Sequence, residues 1–250
     1  MQGCELGRKN MPSKVVRIAL LGAESTGKTT LATALAQALK STLSKQGMTA
    51  VAVPETLREW CDKHGRTPAV HEQVQMASAQ ADRIFSIDDA WVIADTTPLM
   101  TAVYSDYLFH DKSIYPYAMN QQARFDVNLV MGLDVAWTAD GIQRDGAHVR
   151  EPVDALIRKA LNEANLSFKV IYGQGGVRLN NALMALREAL SERFHSDMAN
   201  AVFGASEQQR QDSQYGLNKG KMAWRCDLCS DSDCEHKLFS DLLKSEGSVN

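Results

Sequence analysis

The stretch Gly22-Ala23-Glu24-Ser25-Thr26-Gly27-Lys28-Thr29 fits G-x-x-x-x-G-K-[ST], the spacing of a loop that cradles phosphates. The glycines let the backbone curl until its N–H groups converge on phosphate oxygens, and a helix opening directly after the loop adds the positive end of its dipole. Lys28 reaches the β- and γ-phosphates as a mobile point charge, while the Thr29 hydroxyl completes the shell of a Mg²⁺ ion. Gly22, Glu24, Ser25, Thr26, Gly27, Lys28, Thr29 and Thr30 are thus the candidate cradle for ATP.

Phosphoryl transfer also needs a carboxylate that holds the metal through water. Asp95 closes the apolar run AWVIAD and is the candidate; the alternative is an N-cap for a helix starting near Thr97-Pro98. Glu55, Arg58 and Glu59 follow the run TAVAV and project over the same edge. Glu55 could take the proton of an attacking hydroxyl, or could be no more than an acid in the first turn of a helix. Thr138 to Arg150 carries two glycines and two arginines before a helical stretch and reads as a lid, with an ordinary surface loop as the alternative. Its Arg144 and Arg150 would neutralise charge on the transferred group while the closed loop excludes water. In Gly173-Gln174-Gly175-Gly176-Val177-Arg178 the glycines allow close backbone approach, and Arg178 could cover an adenine face; the alternative is a plain turn.

These side chains need a scaffold that gathers strand ends. VVRIALLG (Val15–Gly22) is a continuous apolar run of strand length, as in a strand buried on both faces of a parallel sheet. Leu31, Leu35 and Leu39 follow at helical spacing, with Gly47 as a stop signal. The alternation recurs: strands at Thr49–Val53, Ala90–Asp95, Phe125–Leu133 and Phe168–Gly173, with helices at Pro68–Ala90, Glu151–Leu166 and about Leu179–Phe194. Such alternation predicts an α/β fold, a doubly wound parallel sheet of about five strands with right-handed crossovers. The expected limits are a nucleotide-binding domain over 14–195 after a loose leader, a helix end and polar linker over 196–223, and a small module over 224–250.

In that last module Cys226, Cys229, Cys234 and His236 supply donors enough for a closed tetrahedral Zn²⁺ site, with free thiols or a redox pair as the alternative. Its acidic residues outnumber its basic ones, which disfavours nucleic acid and favours docking onto the main domain or a protein partner. The 250-residue chain has a net charge of −3, so no global positive field draws nucleic acid or anionic lipid. It lacks an apolar run of about 18 residues and a signal-like N-terminus, which points to the cytoplasm. Five cysteines, three of them clustered near the end, do not suit a secreted disulfide framework.

Taken in order, GAESTGKTTLA, PETLREW, ADTTPLMTAVYSDY, DVAWTADGIQR and IYGQGGVR resemble the P-loop kinase family that includes the nicotinamide riboside kinase domain of bacterial NAD-metabolism proteins. The resemblance covers about Val15 to Leu190. It implies a P-loop NTPase fold, ATP and Mg²⁺ held by Lys28, Thr29 and the loop, and Asp95 in the Walker B position. It further implies that Glu55 and Arg58 face the riboside and that Arg144 belongs to the lid. The family places an aromatic residue just before the glutamate that aligns with Glu55, where stacking can hold a cationic pyridinium ring. This chain has Pro54 there, which leaves Tyr104, Tyr107, Trp137 or Trp60 to take that role.

Overall fold

The computed structural model describes residues 15–138, 146–194 and 202–203. Five strands, β1 (Arg17–Leu21), β2 (Ala50–Val53), β3 (Trp91–Asp95), β4 (Val127–Met131) and β5 (Lys169–Ile171), form one sheet in the order β2-β3-β1-β4-β5. Every neighbouring pair is parallel. The connections are helical: α1 (Lys28–Leu43), α2 (Thr56–His64), α3 (Val70–Phe85), α4 (Pro98–Phe109), α5 (Tyr115–Gln122) and α6 (Arg150–Glu163), with α7 (Gly175–Phe194) closing the domain.

Alternation along each strand divides the core. Ile18, Leu20, Ile93 and Leu129 face α1 and α7, packing on Leu31, Leu35, Leu39, Leu186 and Leu190. Ala19, Leu21, Val92, Ala94 and Val130 face the opposite layer, against Ile84 of α3, Leu99 and Val103 of α4, and Val153 and Ile157 of α6. Both faces are dry, which is why β1, β3 and β4 read as unbroken apolar runs. The chain winds from β1 outward to β2 and back to β3, then crosses β1 to reach β4. The C-terminal ends of β1, β3 and β4 therefore bracket the crevice where α/β sheets bind ligands.

The predicted strands all form, trimmed by one or two residues at most ends. One helix, α5, was not legible, and α2 entered only as the alternative reading of Glu55. α2 buries only Cys61, and α5 has eight residues with Pro116 in its first turn, so neither carries a long apolar stripe. α3 stops at Phe85 rather than Ala90, where the Ser86 N–H still reaches the Asp82 carbonyl before the chain turns into β3. α7 begins at Gly175, four residues ahead of expectation, because first-turn glycines need no partner on their N–H groups. Among the described residues no helix is long and apolar enough to cross a membrane.

Candidate nucleotide and acceptor site

The loop between β1 and α1 curls through three positive φ values, +154° at Gly22, +56° at Ser25 and +80° at Gly27. A Cβ on Gly22 would stand 2.8 Å from Cβ of Met131 on β4, so the first glycine is required by packing as well as by torsion. The Thr26 hydroxyl donates to the Ala23 carbonyl at 2.8 Å and braces the curl. The ammonium of Lys28 donates to the carbonyls of Gly22 (2.7 Å) and Ala23 (2.9 Å), so it lies over its own loop. Burial holds its pKa below the ordinary lysine value, although Glu55 and Asp95 attract the charge. Thr29 and Thr30 are exposed on the first turn of α1, and Glu24 is buried within the loop.

Asp95 ends β3 in register with Leu20 of β1, which brings its carboxyl beside the root of the loop. It is 3% exposed, and its Oδ1 accepts no hydrogen bond among the described residues. A buried carboxylate oxygen left in that state suits a cation or a cation-bound water. The next residue, Thr96, takes φ +84°, an uncommon and strained conformation for a β-branched side chain.

Glu55 occupies the N-cap position of α2 and makes no capping hydrogen bond with its side chain. Burial pushes its carboxyl above the usual range; Lys28 pulls it back, Asp95 raises it further and Arg58 again lowers it. Arg58 Nε stands 3.8 Å from Glu55 Oε2. Glu55, Lys28, Asp95 and Arg58 thus form one electrostatic cluster at the C-terminal edge of β1, β2 and β3, as their order in the chain predicts. Glu59 instead pairs outward with Arg83 at 2.7 Å. Trp60 is engaged elsewhere, stacked on His64 at 4.1 Å with the Arg66 guanidinium 4.7 Å from its centroid. Tyr104 and Tyr107 are half-buried against the core, and Trp137 is half-buried in the segment after β4.

The two remaining arginines sit differently from expectation. Arg150 is the first residue of α6 rather than a loop residue; it is 8% exposed and donates to the Leu133 carbonyl at 3.2 Å. Arg178 is 4% exposed and offers no open platform to an adenine. Because α7 starts early, its guanidinium is carried under the phosphate loop, where it donates to the Thr26 carbonyl and, at 2.5 Å, to Asp134 Oδ1. Asp134 Oδ2 accepts the Gly173 N–H at 2.6 Å. On the loop's other side the Thr138 N–H donates to Ser25 Oγ at 2.8 Å. The phosphate loop is therefore braced from both neighbouring segments, a role that the sequence did not assign to Asp134 or to Thr138, which it placed at the start of the lid.

Arg144 lies outside the described residues, as do Cys226, Cys229, Cys234 and His236. Among the described residues no group of three or more His, Cys, Asp or Glu could hold a metal ion. The described free cysteine, Cys61, is buried on α2, and burial pushes its thiol pKa up.

A parallel five-stranded sheet with a phosphate loop after its central strand and an aspartate closing the adjacent strand defines a P-loop kinase-like domain. The chain belongs to the AAA-domain family, whose model matches residues 17–178. A solved structure of similar fold is that of NadR protein in complex with NR, at 21% identity and a TM-score of 0.56. The match covers 70% of this chain and 51% of that one, so the present chain spans about half the length of that relative. No curated protein matches the sequence.

Proposed function

We propose that the domain transfers the γ-phosphoryl group of ATP to a hydroxyl of a small nucleoside-like acceptor, nicotinamide riboside being the leading candidate. The observation that carries this reading is the grouping of Glu55, Lys28 and Asp95 at the crevice edge, a base candidate beside a phosphate-binding cation and a buried acid. Support for the choice of acceptor comes from the resemblance in the motifs and from the NR-bound fold relative.

The attacking oxygen forms its bond to the γ-phosphorus as the bond to the β,γ-bridging oxygen breaks. The acceptor proton passes to Glu55 and the electron pair leaves with ADP. Loop N–H groups and Lys28 balance the charge on the phosphates, and Arg58 orients Glu55 and the acceptor. Asp95 and Thr29 are the residues suited to Mg²⁺, which when bound neutralises charge on the β- and γ-oxygens. Arg144, read from the sequence as a lid residue, and Arg150 add positive charge as water is excluded. Arg178 serves the nucleotide indirectly, by holding Thr26 and with it the curl of the loop.

The test is a phosphorylation assay with ATP and Mg²⁺ across a panel of nucleosides that includes nicotinamide riboside, following ADP and phosphorylated product together. Product formation with a riboside and little hydrolysis alone supports the kinase. Hydrolysis insensitive to every riboside would instead make the chain an ATPase or switch whose cysteine-rich tail contacts a protein partner.

A further inference from the structure

Gln80 is a polar residue in the apolar stripe of α3, which buries Gln73, Met76, Ala77, Gln80, Ala81 and Ile84. It is 3% exposed, and its carboxamide is committed at both ends. Oε1 accepts the Thr56 N–H at 2.8 Å. Nε2 donates to the Thr96 carbonyl at 3.2 Å and to the Pro54 carbonyl at 3.4 Å. Since the Thr56 N–H can meet only the oxygen of the amide, the orientation of the group is fixed and the nitrogen must face the two carbonyls.

Those three partners have one thing in common. Pro54 and Thr56 are the residues on either side of Glu55, and Thr96 directly follows Asp95. Glu55 makes no side-chain cap bond, and beyond its long contact with Arg58 at 3.8 Å the backbone around it decides where its carboxyl points. Thr96 carries the positive φ of +84°, which surrounding contacts must maintain; among the described residues its hydrogen bonds are its N–H to the Leu20 carbonyl at 3.3 Å and its carbonyl to the Gln80 amide at 3.2 Å. One buried amide therefore joins the turn bearing one carboxylate to the turn bearing the other, across two strand ends.

We propose that Gln80 is a positioning residue that fixes the separation of Glu55 and Asp95, and so sets the acceptor hydroxyl in line with the γ-phosphate. The inference rests on the reading of Glu55 as the base, and deepens it by naming what holds the base in place. Gln80 touches no substrate in this role. It acts on the rate of transfer and not on the binding of ATP, because the phosphate loop is braced independently of Gln80 by Arg178, held in turn by Asp134, and by Thr138.

In the full chain, Gln80→Met removes both arms at similar volume, and Gln80→Glu keeps an acceptor for the Thr56 N–H while removing the donor to Thr96. The expected result for both is a fall of about 100-fold in riboside-dependent kcat, with KM for ATP within about twofold of wild type. Adding Thr96→Gly to Gln80→Met recovers part of the loss, since glycine holds the positive φ without the bridge. Unchanged kcat in both single variants overturns the proposal, as does a double variant no faster than Gln80→Met. It is equally overturned if kcat and ATP affinity decline together with the melting temperature, the mark of general loosening. Glu55→Gln in the same assay separates the two readings. If it transfers at full rate, the base assignment fails and the bridge with it; if it is dead while the Gln80 variants are unimpaired, the bridge alone fails.

Discussion

Replacing Arg178 by Met keeps an aliphatic stem of similar reach in the core and deletes the guanidinium beneath the phosphate loop. The Thr26 carbonyl belongs to a residue of zero exposure and loses this donor, a cost of about 1–3 kcal/mol. Asp134 also loses its cation. Its side chain is 32% exposed, so water screens the charge and the loss is nearer the about 0.5–1 kcal/mol of a surface pair than the value for a sealed one. The sum of about 1.5–4 kcal/mol corresponds to about 10- to 700-fold in the unfolding constant, within the about 5–15 kcal/mol margin of a typical domain, so the variant still folds. Asp134→Asn keeps one acceptor but not two, and is expected to cost less. Urea denaturation of wild type, both single variants and the double gives the coupling between the two residues, expected at about 0.5–1 kcal/mol. ATP titration calorimetry on Arg178→Met is expected to show weakened binding, as Thr26 loses its brace. If Arg178→Met is as stable as wild type and the coupling falls below about 0.5 kcal/mol, the latch between the loop and the two following segments is not a working part of the fold.

Lys28→Ala is expected to lower transfer by at least about 10²–10³-fold, with an unchanged circular dichroism spectrum. Its melting temperature without nucleotide should be equal or higher, because a desolvated ammonium has been removed; retained turnover would take the loop out of the mechanism. Glu55 must be ionised to accept a proton, and burial raises its pKa above the ordinary 4.5, so riboside-dependent kcat/KM should fall on the acid side at a pH above that value. The stability sign is opposite: a raised acid contributes stability below its unfolded pKa that is lost as pH rises through the folded one, and Glu55→Gln should flatten that descent in thermal melts. For the tail, metal analysis of purified protein should find about one zinc per chain, and Cys229→Ser should release it. A metal-free preparation would discard the finger.

How much of this was legible depends on the kind of constraint each residue obeys. Gly22, Gly27 and Lys28 are visible in sequence because a loop that curls through positive φ and presents a mobile cation admits few other residue types. β1, β3 and β4 are visible because dry faces on both sides exclude polar residues from consecutive positions. Asp95 and Glu55 follow from strand ends, since a parallel sheet points all its C-termini at one edge. Arg178 was misread for a local reason: glycines at 173, 175 and 176 suggest an open turn, whereas helix α7 already starts at Gly175 and rotates Arg178 inward. α2 showed only as the alternative reading of Glu55, because it buries little and the Glu55 side chain at its N-terminus makes no capping hydrogen bond.

What escapes sequence reading altogether is the set of neutral polar residues that hold the charged ones. Gln80 is one case, and a second lies on the other side of Asp95. The Thr97 hydroxyl, at the N-cap position of α4, donates to Gln122 Oε1 at 2.6 Å, and Gln122 Nε2 donates to Asn128 Oδ1 at 2.8 Å. Asn128 Nδ2 in turn donates to the Ser167 carbonyl at 3.0 Å. The chain runs from the turn after Asp95 through α5 into β4 and the approach to β5, with Thr97 and Gln122 at zero exposure and Asn128 at 6%. Each of these groups costs more unpaired in the interior than it gains when paired, so the network tolerates one arrangement and penalises the rest. Asp95 is thus held between Gln80 through Thr96 and Gln122 through Thr97, two amides from helices packed on the same face of the sheet. On the proposed reading, in which Asp95 holds Mg²⁺ beside a phosphate, such flanking amides serve it better than a direct salt bridge, which would cap the Oδ1 left open for the metal.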